Sequence, residues 1–196
     1  ACMFEMLNDP SNNMFAFQPE EEFWSFRRVA MRSILNTDMK CHFELKVKLS
    51  QMADDTLGAD DCRHLMQTVI VHAADISNPV LPTKIYKRWA FFVAFEFHNQ
   101  ANLEKQQGLP FLPFMEPHPS STFDLANLQI GFINFVVDPF WNDLNRCLKN
   151  ALDDRIEQMN INKAYWESEK LRCENKKKRE SVDGTSSPKK RDSESL

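Results

Sequence analysis

Residues 69–79 read Val69-Ile70-Val71-His72-Ala73-Ala74-Asp75-Ile76-Ser77-Asn78-Pro79. Leu65, Val69, Ala73 and Ile76 recur at steps of three and four, the period of a helix with one apolar face. Asp60 and Asp61 form an acidic start, and Pro79 and Pro82 stop the run. The same grammar extends outward in both directions. Pro19 followed by Glu20, Glu21 and Glu22 predicts a helix to about Leu35. A second begins near Asp38 and carries His42, Leu45 and Leu49, and residues 54–58 form a break. Thr83 is placed to cap a long helix through Trp89, Val93 and Glu96, stopped by Gly108-Leu109-Pro110. Residues 108–121 form a proline-rich loop. Ser121 with Asp124 caps the next helix, which Pro139 kinks or divides. A last helix spans about Leu152 to Leu171. The fold class is all-α, a multi-helix domain.

Composition supports this and excludes other classes. The chain has 196 residues, 42% of them hydrophobic, with 16 Phe, nine Met and four Trp for bulky helix packing. Only four Gly and two Tyr, with few β-branched runs, speak against a sheet sandwich or barrel. No apolar run reaches the roughly 18 residues of a membrane helix. Five scattered cysteines with no CxxC pair support neither a disulfide framework nor a zinc ribbon, and fit a reducing compartment. Residues 1–171 form the domain. Residues 172–191 carry eight basic and three acidic side chains. With almost nothing apolar to bury, 172–196 is expected to be a disordered, Ser-rich basic tail. Its two basic clusters, at Lys176–Arg179 and Lys189–Arg191, suit an import receptor or an anionic surface, or simply a solvated terminus. The expected location is cytoplasmic, with nuclear entry through the tail. Ser181 and Ser187 are candidate phosphorylation sites.

Two constellations could carry chemistry. Asp75 closes an apolar helix at the end whose dipole repels an anion, so it either asks for a cation or turns to water. His72, one turn earlier, reads as a core histidine. Gln129 and Phe132 are three apart and share a face. A glutamine amide offers both donor and acceptor to a purine edge, and a phenylalanine can stack on the same ring. The plain alternative is a rim residue beside a core residue.

The order His72-Ala-Ala-Asp75-Ile-Ser-Asn78-Pro79, Tyr86, Trp89, Glu96-Phe97, Gly108-Leu-Pro, Gln129-Ile-Gly-Phe132-Ile, with Thr37-Asp38-Met39-Lys-Cys-His42 upstream, resembles the class I cyclic-nucleotide phosphodiesterase catalytic domain. The resemblance runs from near residue 1 to about Trp166. It implies a two-metal pocket for zinc with magnesium or manganese, and a cyclic nucleotide (cAMP and/or cGMP) as substrate. Nucleic acid is not an expected partner. It implies Asp75 as a metal ligand and Thr37 beside the second metal's waters. It implies Asn78 near the base, Gln129 on the purine edge, Phe132 and Val93 as a hydrophobic clamp, and Met39 lining the pocket. The family's His-Asn-x-x-His element, its His-Asp pair and its Glu have no counterpart in this sequence. Three of four ligands of the tighter metal and the general-acid histidine are therefore expected upstream of Ala1, making this the C-terminal portion of such a domain and inactive alone. Departures occur at Gln100-Ala101-Asn102, at Phe97-His98 and in the loop 114–119, which is about two residues longer. Two competing readings are a non-catalytic helical interaction module and another helical phosphohydrolase of the wider His-Asp superfamily.

Overall fold

The computed structural model describes residues 2–54 and 59–183. Among these residues every regular element is helical. The chain divides into two compact units, 1–76 with 140–151, and 77–139 with 152–196.

The first unit contains α1 (Cys2–Leu7), α2 (Glu20–Leu35), α3 (Met39–Ala53), α4 (Ala59–Asp75) and, from Phe140 onward, α7 (Asp138–Cys147). Helix α2 starts directly after Pro19, with three glutamates in its first turn. Asp38 caps α3 by accepting from the Lys40 N–H at 2.9 Å. Leu45 and Leu49 of α3, Leu65, Val69 and Ala73 of α4, and Phe140 and Leu144 of α7 are buried. Asp143 is buried too, and it is not left alone. The Ser50 hydroxyl donates to it, Arg146 reaches it at 3.1 Å and Lys46 lies at 3.6 Å. A carboxylate taken out of water needs such partners. The expected break at 54–58 lies mostly outside the described residues.

The second unit contains a 3-10 turn (Asn78–Val80), α5 (Thr83–Gln106), a second 3-10 turn (Pro113–Met115), α6 (Thr122–Phe132), a π-helical stretch (Ile133–Val137) and α8 (Asp153–Asp183). Helix α6 packs along α8. Small residues on one line of α5, Ala90, Ala94 and Ala101, are buried with Tyr86. Ser121 caps α6, accepting from the Asp124 N–H at 3.3 Å while its hydroxyl donates to the Asp124 carboxylate. Gly108 stops α5 in the left-handed region at φ 67°. Pro139 acts as expected. It has no N–H and its ring crowds the carbonyl four residues back, so the backbone widens to π-helical geometry just before it.

Two expectations are corrected. Thr83 is the first residue of α5, not its cap. Pro82 precedes the helix, and the Thr83 hydroxyl instead donates to Asn162 Oδ1 at 2.7 Å. The last helix does not end at Leu171 but continues to Asp183, so it takes in the first basic cluster. Lysine, glutamate and arginine are good helix formers, and Lys177 sits over the Phe123 ring of α6 at 4.5 Å. The tail signals at Ser187 and Lys189–Arg191 lie outside the described residues.

Candidate functional site

The candidate residues fall in both units. In the first, Thr37 is half-buried at the end of α2, where its hydroxyl donates to the Ile34 carbonyl at 2.8 Å. Met39 opens α3 and is exposed. Asp75 is the last residue of α4 and is exposed. The apolar face of α4 is spent on the core, which leaves its C-terminal carboxylate in water.

His72 lies fully buried beneath Asp75's turn. Its Nε2 is 2.9 Å from Nδ1 of His42, which is also buried. One ring donates and the other accepts, and burial favours the neutral form of each. Burial holds the His42 imidazole down to about 4, helped by the neighbouring His72. Burial also lowers His72, while the Asp75 charge and the Asn36 backbone pull the other way. Phe140 packs against both rings, at 5.3 and 5.1 Å between centroids. His72 is thus a core histidine, as its apolar surroundings in the sequence suggested.

In the second unit Gln129 is buried in the middle of α6, and Tyr86 of α5 donates its hydroxyl to Gln129 Oε1 at 2.7 Å. Tyr86 is wholly buried, and burial pushes its phenol far up, so it stays protonated and remains a donor. The bond aims the glutamine Nε2 donor away from Tyr86 and leaves Oε1 one lone pair. An amide held in this way presents a donor and an acceptor side by side, which is what the edge of a purine requires. Tyr86 is a residue of the candidate site that the sequence pattern contained without a role. The signal was available: a lone tyrosine on the buried face of an amphipathic helix needs a polar partner for its hydroxyl. Phe132, half-buried, ends α6 one turn beyond Gln129. Val93 is half-buried on α5, and Asn78 is half-buried at the start of the 3-10 turn.

Among the described residues no group of three His, Cys, Asp or Glu side chains comes together to hold a metal. Asp75 is one carboxylate, and the nearest imidazole along its helix is turned inward to His42. The described residues therefore do not by themselves form a two-cation centre.

The structure thus defines an all-α domain whose second unit carries a tyrosine-held amide one turn from an aromatic ring. Residues 1–159 match the family described as 3',5'-cyclic nucleotide phosphodiesterase. The dual specificity calcium/calmodulin-dependent 3',5'-cyclic nucleotide phosphodiesterase 1B of Bos taurus is 32% identical over 178 residues, covering 89% of this chain and 32% of that protein. The 3',5'-cyclic-AMP phosphodiesterase, isoform F, of Drosophila melanogaster is 26% identical over 177 residues, 86% of this chain and 26% of its own length. The phosphodiesterase domain of the RhoPDE fusion protein from the choanoflagellate Salpingoeca rosetta superposes with a TM-score of 0.82 at 32% identity. It shares 89% of this chain and 56% of its own. This chain belongs to the 3',5'-cyclic nucleotide phosphodiesterase family. It spans about a third or less of the curated relatives it matches, and about half of the solved domain. No helix among the described residues is long and apolar enough to cross a membrane.

Proposed function

We propose that this chain supplies the purine-reading part of a cyclic-nucleotide phosphodiesterase, together with a single metal carboxylate. The observation that carries the reading is the Tyr86–Gln129 hydrogen bond, which holds a buried amide in one orientation within a chain of this family. Gln129 takes the purine edge, Phe132 and Val93 clamp the ring, and Asn78 lies near the base. A freely rotating amide would suit cyclic AMP and cyclic GMP alike, the Tyr86 bond favours one sense over the other, and Asn78 favours cyclic AMP by resemblance. The product is the 5'-nucleotide.

Asp75 would contribute to a centre of two divalent cations, zinc with magnesium or manganese, with Thr37 near the second and Met39 along the wall. One carboxylate binds such ions weakly and unspecifically, so no hydrolytic step is assigned to these residues alone. A second reading, a helical interaction module without catalysis, is favoured by one observation. Trp89, Phe91, Phe92 and Phe95 of α5 are all exposed, a row of aromatic surface that a partner or a further part of the domain would cover.

One experiment separates the two. The part of the Salpingoeca rosetta domain outside the matched span is joined to this chain, and hydrolysis of both cyclic nucleotides is followed with added zinc and magnesium. Turnover by the joined protein, with none from the 196-residue chain alone, is expected. Turnover by the chain alone overturns the proposal, as does a folded, monomeric fusion that binds both metals yet hydrolyses nothing. The basic segment is read as binding an import receptor or an anionic surface, with the protein otherwise cytoplasmic. Unchanged distribution of a tagged chain after the lysines and arginines of 176–179 are replaced by glutamine would remove that reading.

A further inference from the structure

The second unit contains a side chain whose whole hydrogen-bonding capacity is used, both of its donors on one turn. Asn162, in the middle of α8, has no exposed surface. Its Nδ2 donates to the Pro79 carbonyl and to the Leu81 carbonyl, both at 2.8 Å. Its Oδ1 accepts from the Thr83 hydroxyl at 2.7 Å and from Gln158 Nε2 at 3.3 Å. A primary amide has two donors and two acceptor sites, and here all four are used. The orientation has no alternative, because the carbonyls of Pro79 and Leu81 can only accept.

The turn needs this help. Asn78-Pro79-Val80 is a single 3-10 turn, held by two backbone bonds, Val80 N–H to Ser77 at 3.0 Å and Leu81 N–H to Asn78 at 3.2 Å. Pro79 and Pro82 donate nothing. Isolated 3-10 turns have poor hydrogen-bond geometry and are intrinsically weak. The carbonyls of residues 79 and 81 point away from the turn's own bonds, into a buried space where an unpaired carbonyl is costly. Asn162 satisfies both, and through Thr83 it also fixes the first residue of α5, the helix that brings Tyr86 to Gln129.

We propose that Asn162 is a positioning residue: it sets the backbone of the Asn78 turn from the opposite helix, and so sets where the Asn78 side chain stands. Its consequence for purine recognition rests on Asn78 lying near the base, as proposed above. The positioning itself does not rest on that reading. An asparagine at 162 is therefore required for geometry at 78, eighty-four residues earlier in the chain.

The test is amide hydrogen exchange on the full 196-residue chain, which needs neither metal nor turnover. In Asn162→Ala, the amides of Val80 and Leu81 should exchange roughly tenfold faster or more. The amides of α5 between Ala90 and Ala101 should change by less than about threefold if the effect is local opening rather than global unfolding. Asn162→Asp supplies a pH profile. Its ionised carboxylate faces two carbonyls and repels them, while the protonated acid can donate to one. Turn protection in that variant, corrected for intrinsic exchange, should therefore return as the pH falls, which neither the parent nor Asn162→Ala shows. Uniform acceleration across α5, α6 and α8, or an unchanged turn in both variants, overturns the proposal. Should Asn162→Ala not fold, Thr83→Val removes one partner of Oδ1 and keeps both carbonyl bonds. Protection at Val80 and Leu81 is expected to stay within about threefold of the parent there, and its collapse would show that Thr83, not Asn162, holds the turn. Asn78 is judged separately, by whether Asn78→Ala changes the cyclic AMP to cyclic GMP ratio in the joined protein described above.

Discussion

The two units handle the polar groups of the candidate site differently. In the second, buried polar side chains are aimed at particular targets: Tyr86 at the Gln129 amide, and Asn162 at the carbonyls of one turn. In the first, the buried His42 and His72 bond to each other, while the candidate metal-side residues Asp75 and Met39 face solvent. A base-reading site needs a pre-set amide, which a helix pair provides from its own residues. A metal centre needs several donors converging from different segments, and one helix end cannot supply them. On the proposed reading the purine half is built within this chain, whereas the described residues offer the metal half a single carboxylate.

The largest expected effect tests that asymmetry directly. In a protein that completes the domain, Asp75→Ala should lower kcat by about a thousandfold or more, because a lost metal ligand removes stabilisation of the transition state rather than binding alone. Steady-state kinetics with cyclic AMP would show it, and a change confined to KM would place Asp75 outside the centre.

Next in size is the packing of the first unit. Phe140 is wholly buried and touches both imidazoles. Phe140→Ala should cost about 3–5 kcal/mol, read as a lowered denaturation midpoint. If instead it leaves that midpoint unchanged, the rings are not part of a packed core.

Acid should act on the same unit. His42 is held down to about 4 from its ordinary 6.5, and His72 is lowered as well. The unfolded chain therefore binds protons that the folded one does not. Stability is fully present above about pH 6.5 and falls as the pH drops towards 4, at up to about 1.4 kcal/mol per pH unit for one histidine. Denaturation midpoints measured between pH 7 and 4 should show this slope, and His42→Phe, which cannot charge, should flatten it.

Tyr86→Phe should be milder, about 1 kcal/mol, because it deletes one hydrogen bond and leaves the ring in place. In the completed domain it should relax the choice between cyclic AMP and cyclic GMP by freeing the glutamine to rotate. The smallest effect concerns the end of α8. Lys177→Ala removes an exposed cation–π contact of about 0.5–1 kcal/mol and should fray the helix beyond residue 172 by circular dichroism or amide exchange.

Most of the helix plan was legible because its signals are local. Glu20–Glu22 after Pro19, Asp38 before Met39, Ser121 with Asp124, and Gly108 after α5 each act within one turn of the residues they start or stop. The end of α8 was not legible, because lysine-rich sequence is compatible with helix and coil alike, and the Phe123 ring under Lys177 comes from another element. Thr83 was misread for a related reason. A hydroxyl at a helix start has two uses, and only the presence of Asn162 decides between them.

The candidate site divides along the same line. By itself the sequence determined an all-α chain, its membership signals from His72 to Phe132, and the nomination of Asp75, Asn78, Gln129 and Phe132, because residue type and order carry that information. Tertiary structure alone decided which groups answer one another. It paired His72 with His42, turned the Tyr86 hydroxyl to Gln129, and brought Asn162 onto the carbonyls of Pro79 and Leu81. Those partners are 30, 43, 83 and 81 residues apart. A hydrogen bond is set by ångströms and angles at contact, and no local pattern encodes a contact over such separations.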